Sequence, residues 1–182
     1  MYGIEILVDE HDKILLFIDK MEKICMEILQ GGDVPVSIFR QGILFIRNFA
    51  DSHHHKKEEE ILFKYMIENL GGLANKLVKN GMLVEHDLAR LHVMQLEKAL
   101  NEYERINSVK NKLDIIGNMM SYIYILRRHI EKENTVVYIF AENNLSKKIK
   151  EEINIKTRLI EEKAKNEELL KPYEKFLTRL AT

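Results

Sequence analysis

The sequence predicts an all-α protein, an up-down-up-down four-helix bundle with an additional C-terminal helical segment. Three observations carry this. In 182 residues there are only two prolines and eight glycines, so long stretches run without a helix breaker. Apolar residues recur at alternating spacings of three and four, the inward stripe of a bundle helix. Histidines and glutamates sit on those stripes at a fixed offset. His11 to His86, His54 to His129 and Glu58 to Glu133 are each 75 residues apart, which chance would not produce.

The first helix is expected from about Ile4 to Gln30. Its stripe is Ile4, Leu7, His11, Ile14, Ile18, Met21, Cys25 and Ile28, with His11 where a core leucine would be expected. Gly31-Gly32 ends it, Asp33 is a plausible N-cap for the next helix and Pro35 suits a first turn. The second helix is expected from about Val36 to Leu70. Its inner face is Ile43, Ile46, Ala50, His54, Glu58, Ile61 and Tyr65, and Asp51-Ser52 marks either a kink or nothing. Gly71-Gly72 closes it. The third runs from about Ala74 to Ile106, with the stripe Val78, Met82, His86, Ala89, Val93, Leu96, Leu100 and Tyr103; Gly81 weakens its start. Asn107 or Ser108 caps the fourth, which reaches about Glu142 with the stripe Tyr122, Ile125, His129, Glu133, Val136 and Phe140. Residues 1–145 form the bundle on this reading. Residues 146–182 form an accessory segment, capped by Ser146 and broken near Lys171 by Pro172, that packs on the bundle or on a second subunit.

In an up-down-up-down bundle, the 75-residue offset becomes an approximate two-fold axis. His54 and Glu58, four apart, project from one helix face, as do His129 and Glu133. With His11 and His86, six candidate ligands converge at one depth in the core. Buried carboxylates are costly unless paired or metal-bound. The competing reading is histidine–carboxylate ion pairing without a metal. A structural zinc site closes with four ligands, so six fit a two-ion site with the glutamates bridging. Imidazole suits iron, zinc, copper or nickel, and ligand type alone leaves iron, zinc and manganese open. A ferritin-like oxidase would show Glu-x-x-His on two helices and single glutamates on the others; here the pattern is reversed.

Bulk composition narrows the function classes. Net charge is −1, with no basic patch for nucleic acid. No apolar run is long enough to span a bilayer, no signal peptide is recognised and Cys25 stands alone, so a soluble cytoplasmic protein is expected. Cys25 lies fourteen residues beyond His11, about 21 Å along a helix, too far to share its metal.

The segments Glu10-His11-Asp12, His54-His55-Lys56-Lys57-Glu58-Glu59-Glu60-Ile61-Leu62-Phe63, Glu85-His86-Asp87 and His129-Ile130-Glu131-Lys132-Glu133-Asn134 resemble the hemerythrin-like HHE cation-binding family, in order and spacing over roughly residues 1–145. The resemblance implies a non-haem di-iron site with an oxo or hydroxo bridge. In it His11, His54, His86 and His129 are terminal ligands, and Glu58 and Glu133 are bridging carboxylates. Oxygen carriers of this kind place a further histidine where this chain has Arg90, and an aspartate where it has Asn134. The chain is thus closer to the bacterial branch that includes iron-centre repair proteins. The fifth histidine is left between His55, the better placed, and His53, with a solvent-facing residue as the competing reading for both. His92 lies off the stripe. The acids Glu10, Asp12, Glu85 and Asp87 are expected to be mostly solvated, because helix neighbours point about 100° apart. Tyr65, Tyr122 and Tyr124 are the tyrosines expected near the site, chiefly as packing. The function implied is binding of, or reaction with, dioxygen, peroxide or nitric oxide, with a redox partner protein as a further expectation. The rivals are a di-iron peroxidase or oxidase, an iron-handling repair factor, and a structural metal with the C-terminal segment as the working surface or oligomer contact.

Overall fold

The computed structural model describes residues 1–181. Helix α1 (Tyr2–Leu29) presents Leu7, His11, Ile14, Ile18, Met21, Cys25 and Ile28 inward, the stripe read from sequence. The chain turns at Gly31, whose φ of 101° is the left-handed region that favours glycine. The second bundle helix is built from α2 (Val36–Phe45), wider π-helical turns over Ile46–His55 and Glu58–Leu62, and α3 (Phe63–Leu77). Its N-cap is Pro35, without a side-chain cap bond, so Asp33 does not have the capping role expected of it. Asp51-Ser52 lies inside a continuous helix, not at a break.

Gly71 (φ 71°, ψ −152°) splits α3 and reverses the chain. The third bundle helix comes at once, through a π-helical turn at Val78–Met82 that contains Gly81, into α4 (Leu83–Arg105). All eight residues of its expected stripe are buried. The fourth consists of α5 (Val109–Lys132), a π-helical turn at Glu133–Val137 and α6 (Tyr138–Asn144). Its N-cap is Ser108, whose hydroxyl accepts from Asn111 N at 3.2 Å. Each bundle helix packs against its neighbours in sequence, and the first packs against the fourth, closing the square.

The π-helical turns shift the register of the residues C-terminal to them. Such a turn inserts one residue into the helical repeat. Beyond Glu133 the inward residues are therefore Val137, Tyr138 and Ala141, while the expected Val136 is 48% exposed. Beyond Glu58 they are Ile61, as expected, with Leu62, Phe63 and Met66 in place of Tyr65.

Ser146 caps α7 (Lys147–Asn166), and α8 (Lys171–Ala181) comes after a turn at Glu168, with Pro172 in its first turn. Both helices pack on α1. Two apolar clusters result, one above and one below a polar layer. Phe176 and Leu177 of α8 join the larger, and Ile153 of α7 joins the smaller. Among the described residues no helix is long and apolar enough to cross a membrane.

Gly3 sets how closely α7 approaches α1. Its backbone N–H donates to Asn154 Oδ1 at 3.0 Å. A Cβ there would meet Ile153 Cγ2 and Thr157 Oγ1, both at 3.0 Å. Gly3→Val is expected to cost about 1–3 kcal/mol by overpacking this seam, read as a lower urea midpoint at unchanged m-value.

Candidate metal centre

His53, His54 and His55 are successive residues, yet all three are buried. Their side chains fan around one helix that is enclosed on nearly every side. His54 and His55 face the bundle interior, and His53 faces α1 and α7. The turns that begin at Glu58 and Glu133 are both π-helical and lie 75 residues apart, so the same local distortion accompanies both carboxylates.

Two groups of potential donor atoms converge in the polar layer. The first is His55, Glu58, His86 and His129; the second is His11, His54, Glu58 and Glu133. Within each, the candidate atoms lie within 4.8 Å of one another. The structure thus brings together all seven residues singled out in the sequence. His86 Nε2 and His129 Nε2 are 3.0 Å apart. Glu58 Oε2 lies 3.6 Å from His54 Nε2 and 3.4 Å from His86 Nε2, so it faces both groups. Glu133 also spans them, with Oε1 3.2 Å from His129 Nε2 and Oε2 3.2 Å from His11 Nε2. His54 Nε2, both ring nitrogens of His55, Glu58 Oε2 and both oxygens of Glu133 are buried without an aligned hydrogen-bond partner. Buried polar atoms are rarely left so. A cluster of lone pairs pointing at one another is what cations would resolve, and the donor set of five imidazoles and two carboxylates suits such ions.

The outward ring nitrogens are held from neighbouring helices. His54 Nδ1 meets Glu10 Oε2 at 3.0 Å, and His129 Nδ1 meets Glu85 Oε2 at 3.1 Å. His86 Nδ1 meets Glu59 Oε1 at 2.7 Å, and His11 Nδ1 meets Asn134 Oδ1 at 2.8 Å. Partners of this kind fix ring orientation and raise ligand basicity. The expectation that these acids are mostly solvated is therefore corrected for Glu10 and Glu85. Each is too far around its helix to reach the adjacent histidine, but reaches a histidine on the next helix. Asp12 and Asp87 are exposed, as expected. The signal was present in the numbering, because Glu10 and Glu85 keep the 75-residue offset, as do Glu59 and Asn134, and Lys57 and Lys132.

Charge reflects this geometry. Burial alone would lower the His129 pKa, but the charge of Glu133 and bonds to Glu133 and Glu85 raise it to about 10. Burial would raise Glu85, but bonds from His129 and Lys132 bring it down to about 2. His54 and His55 are pushed down, first by burial.

The remaining residues sort by contact. His53, the second candidate for the fifth histidine, joins neither group. Its Nε2 is 2.9 Å from Glu10 Oε1 and 3.3 Å from Glu161 Oε1. Among these three stands the Lys57 ammonium, which donates to Glu10, to Glu161 Oε1 at 2.5 Å and meets His53 Nε2 at 3.1 Å. His92 pairs with Asn118 outside the layer. Arg90, at the position of the carriers' extra histidine, is bound to Asp51, Asp87 and Glu59. Tyr65 donates to Glu152, and Tyr124 is 62% exposed. The tyrosine that reaches the layer is Tyr138, missed from sequence. Its hydroxyl donates to Glu58 Oε1 at 2.5 Å and lies 3.4 Å from His11 Nε2, with the two rings stacked at 5.5 Å. Cys25 is buried in the apolar core, which pushes its thiol up to about 12.

The Lys57 ammonium is nearly sealed, whereas its counterpart Lys132, on Glu85, is 37% exposed. Lys57→Met would strand the Glu10 and Glu161 charges, at an expected cost of about 3–5 kcal/mol. Lys132→Met acts in solvent and is expected to cost under about 1 kcal/mol. Urea unfolding of the two variants tests this; equal losses would contradict the difference in burial.

A comparison with protein-family models matches residues 2–141 to the hemerythrin HHE cation-binding domain. No match was found among curated proteins or among solved structures. The matched span contains every residue of both donor groups, and the chain belongs to the hemerythrin HHE cation-binding family.

Proposed function

We propose that this chain is a non-haem di-iron protein that binds, senses or scavenges a small oxidant or diatomic: dioxygen, peroxide or nitric oxide. The observation that carries the reading is the pair of donor groups sharing Glu58. His55, His86 and His129 would hold one ion and His11 and His54 the other, with Glu58 and Glu133 spanning both. Three imidazoles against two leaves the second ion one donor short, which makes room for a ligand. A ferrous pair, when bound, supplies electrons or a reversible site for such a molecule.

The chain's own residues shape that chemistry. Five neutral imidazoles to two carboxylates leave the ions more positive than a carboxylate-rich set would, which favours reversible binding over strong oxidation. The Tyr138 hydroxyl, on the side of His11, holds Glu58 and is a donor beside the less crowded group. Apolar clusters pack on both sides of the layer.

The first test is elemental analysis of protein purified without oxygen, with absorption spectra as air is admitted. About two irons per chain and new near-ultraviolet charge-transfer bands are expected. Spectral recovery on removing oxygen indicates a carrier or sensor; irreversible change indicates turnover or repair chemistry. One zinc, or no metal, sinks the di-iron reading. His54→Ala and His129→Ala should each lower metal loading; full loading in either removes that residue from the ligand set.

A second test is the pH dependence of stability with and without metal. In the metal-free chain, His129 has its pKa raised from 6.5 to about 10. Its contribution is full below 6.5 and is lost as pH rises towards 10. Glu85, lowered from 4.5 to about 2, contributes above 4.5 and loses its share as pH falls towards 2. Bound metal replaces the imidazole proton. The melting temperature of chelated protein should therefore fall between pH 6.5 and 10 while that of the loaded protein holds. Parallel curves would contradict a metal at His129.

A further inference from the structure

The two halves of the bundle repeat six of the seven candidate ligands at the 75-residue offset, but differ at His55 and in what lies beside it. A cavity of about 200 Å³ opens between the second and third bundle helices and reaches His55. Its floor is Ile46, His55, Ala89, Val93 and Tyr122, each buried, and its mouth is Arg47, Arg90 and Met94. Shifting by 75 residues gives the corresponding positions in the other half. There Ala89 becomes Ile14, Val93 becomes Ile18, Asp51 becomes Leu126 and His55 becomes Ile130. Those four are buried core side chains. Relative to its own repeat, the chain has shortened two aliphatic side chains and replaced two others with polar ones, and the space this opens adjoins the metal centre.

The wall is mainly apolar, and apart from His55, whose nitrogens belong to the donor group, it carries one polar group without a partner. The Tyr122 hydroxyl is buried and has no hydrogen-bond partner, although its residue is only 1% exposed. Burial, with the Asp51 charge nearby, raises its pKa, so the group stays a neutral O–H donor. The charges at the mouth are already matched. Arg47 is paired to Glu97 at 2.9 and 2.6 Å, and Arg90 to Asp51 and Glu59 at 2.7 Å. A charged ligand would have to displace these pairs. A volume far above the roughly 15 Å³ that one water needs exceeds a diatomic too.

We propose that this cavity binds a small neutral molecule with a compact hydrocarbon body and one oxygen acceptor. The body lies against Ile46, Ala89 and Val93, and the oxygen accepts from Tyr122 O–H. Bound there, an organic molecule sits beside His55 and so beside the centre. The binding itself stands on the cavity alone; only its relevance to the metal rests on the di-iron reading.

The test uses tert-butyl alcohol as the probe, by saturation-transfer NMR on full-length protein as purified, with metal content measured on the same samples. Transfer to the methyl protons, saturable in the millimolar range, is expected for the wild type. Ala89→Ile restores the residue that the other half carries and should abolish the signal by filling the floor. Tyr122→Phe keeps the volume and should weaken binding about three- to tenfold by removing one hydrogen bond. Circular dichroism checks that both variants fold; should Ala89→Ile not fold, Tyr122→Phe decides. No transfer to wild type, or equal transfer in wild type and folded variants, overturns the site. Absence of metal with binding intact would overturn the di-iron reading and leave this inference standing.

Discussion

The structure depends on burying Glu58 and Glu133, both fully enclosed, in the middle of an apolar bundle. An uncompensated carboxylate in that position is too costly to persist. Compensation falls to the Tyr138 hydroxyl on Glu58, the five imidazoles and the cations that this donor set would hold, and each imidazole must be aimed. Aiming requires an outer partner on each ring, supplied for four of them by Glu10, Glu85, Glu59 and Asn134. Those partners come from helices other than the one carrying the histidine, so the bundle can close only with all four helices in register. The polar layer fixes the register and the two apolar clusters on either side supply the burial that holds it.

That layer was legible in the sequence because it is written twice. A 75-residue offset is visible without any structure, and it identified His11, His54, Glu58, His86, His129 and Glu133 as one set. The helices were equally legible, since three-and-four spacing is a local property. What escaped was whatever depends on a change of local repeat or on a distant segment. The π-helical turns after both glutamates shift the inward face by one residue. Extending an α-helical period therefore pointed to Tyr65 and Val136, while the buried residues are Phe63, Val137 and Tyr138. Glu161 lies outside the repeat and could not be linked to Lys57 by spacing. The roles of Glu10 and Glu85 are not legible from contact with an adjacent residue, because their contacts run between helices.

The departures from the repeat are as informative as the repeat. Phe63 stacks near His86, with ring centroids 6.0 Å apart, and its counterpart Tyr138 stacks on His11 but adds a hydroxyl that reaches Glu58. His55 stands where the other half has Ile130, and brings a third imidazole to one group only. The two metal positions are thus unequal by construction: one richer in nitrogen, the other beside a phenol.

The helices after residue 145 deepen this inequality. Glu161 of α7 meets Lys57, Lys57 meets Glu10, and Glu10 holds His54. In the other half, Lys132 and Glu85 support His129, and Lys132 reaches solvent. The seam at Gly3 lets α7 come close enough to cover the first of these networks. A covered ion pair keeps its geometry against water, and an exposed one exchanges partners freely. The support of His54 is therefore covered and that of His129 is open to solvent, although Glu10 and Glu85, and Lys57 and Lys132, keep the same offset. The C-terminal segment, whose own residues include no member of either donor group, belongs physically to the support of the centre through this chain of charges.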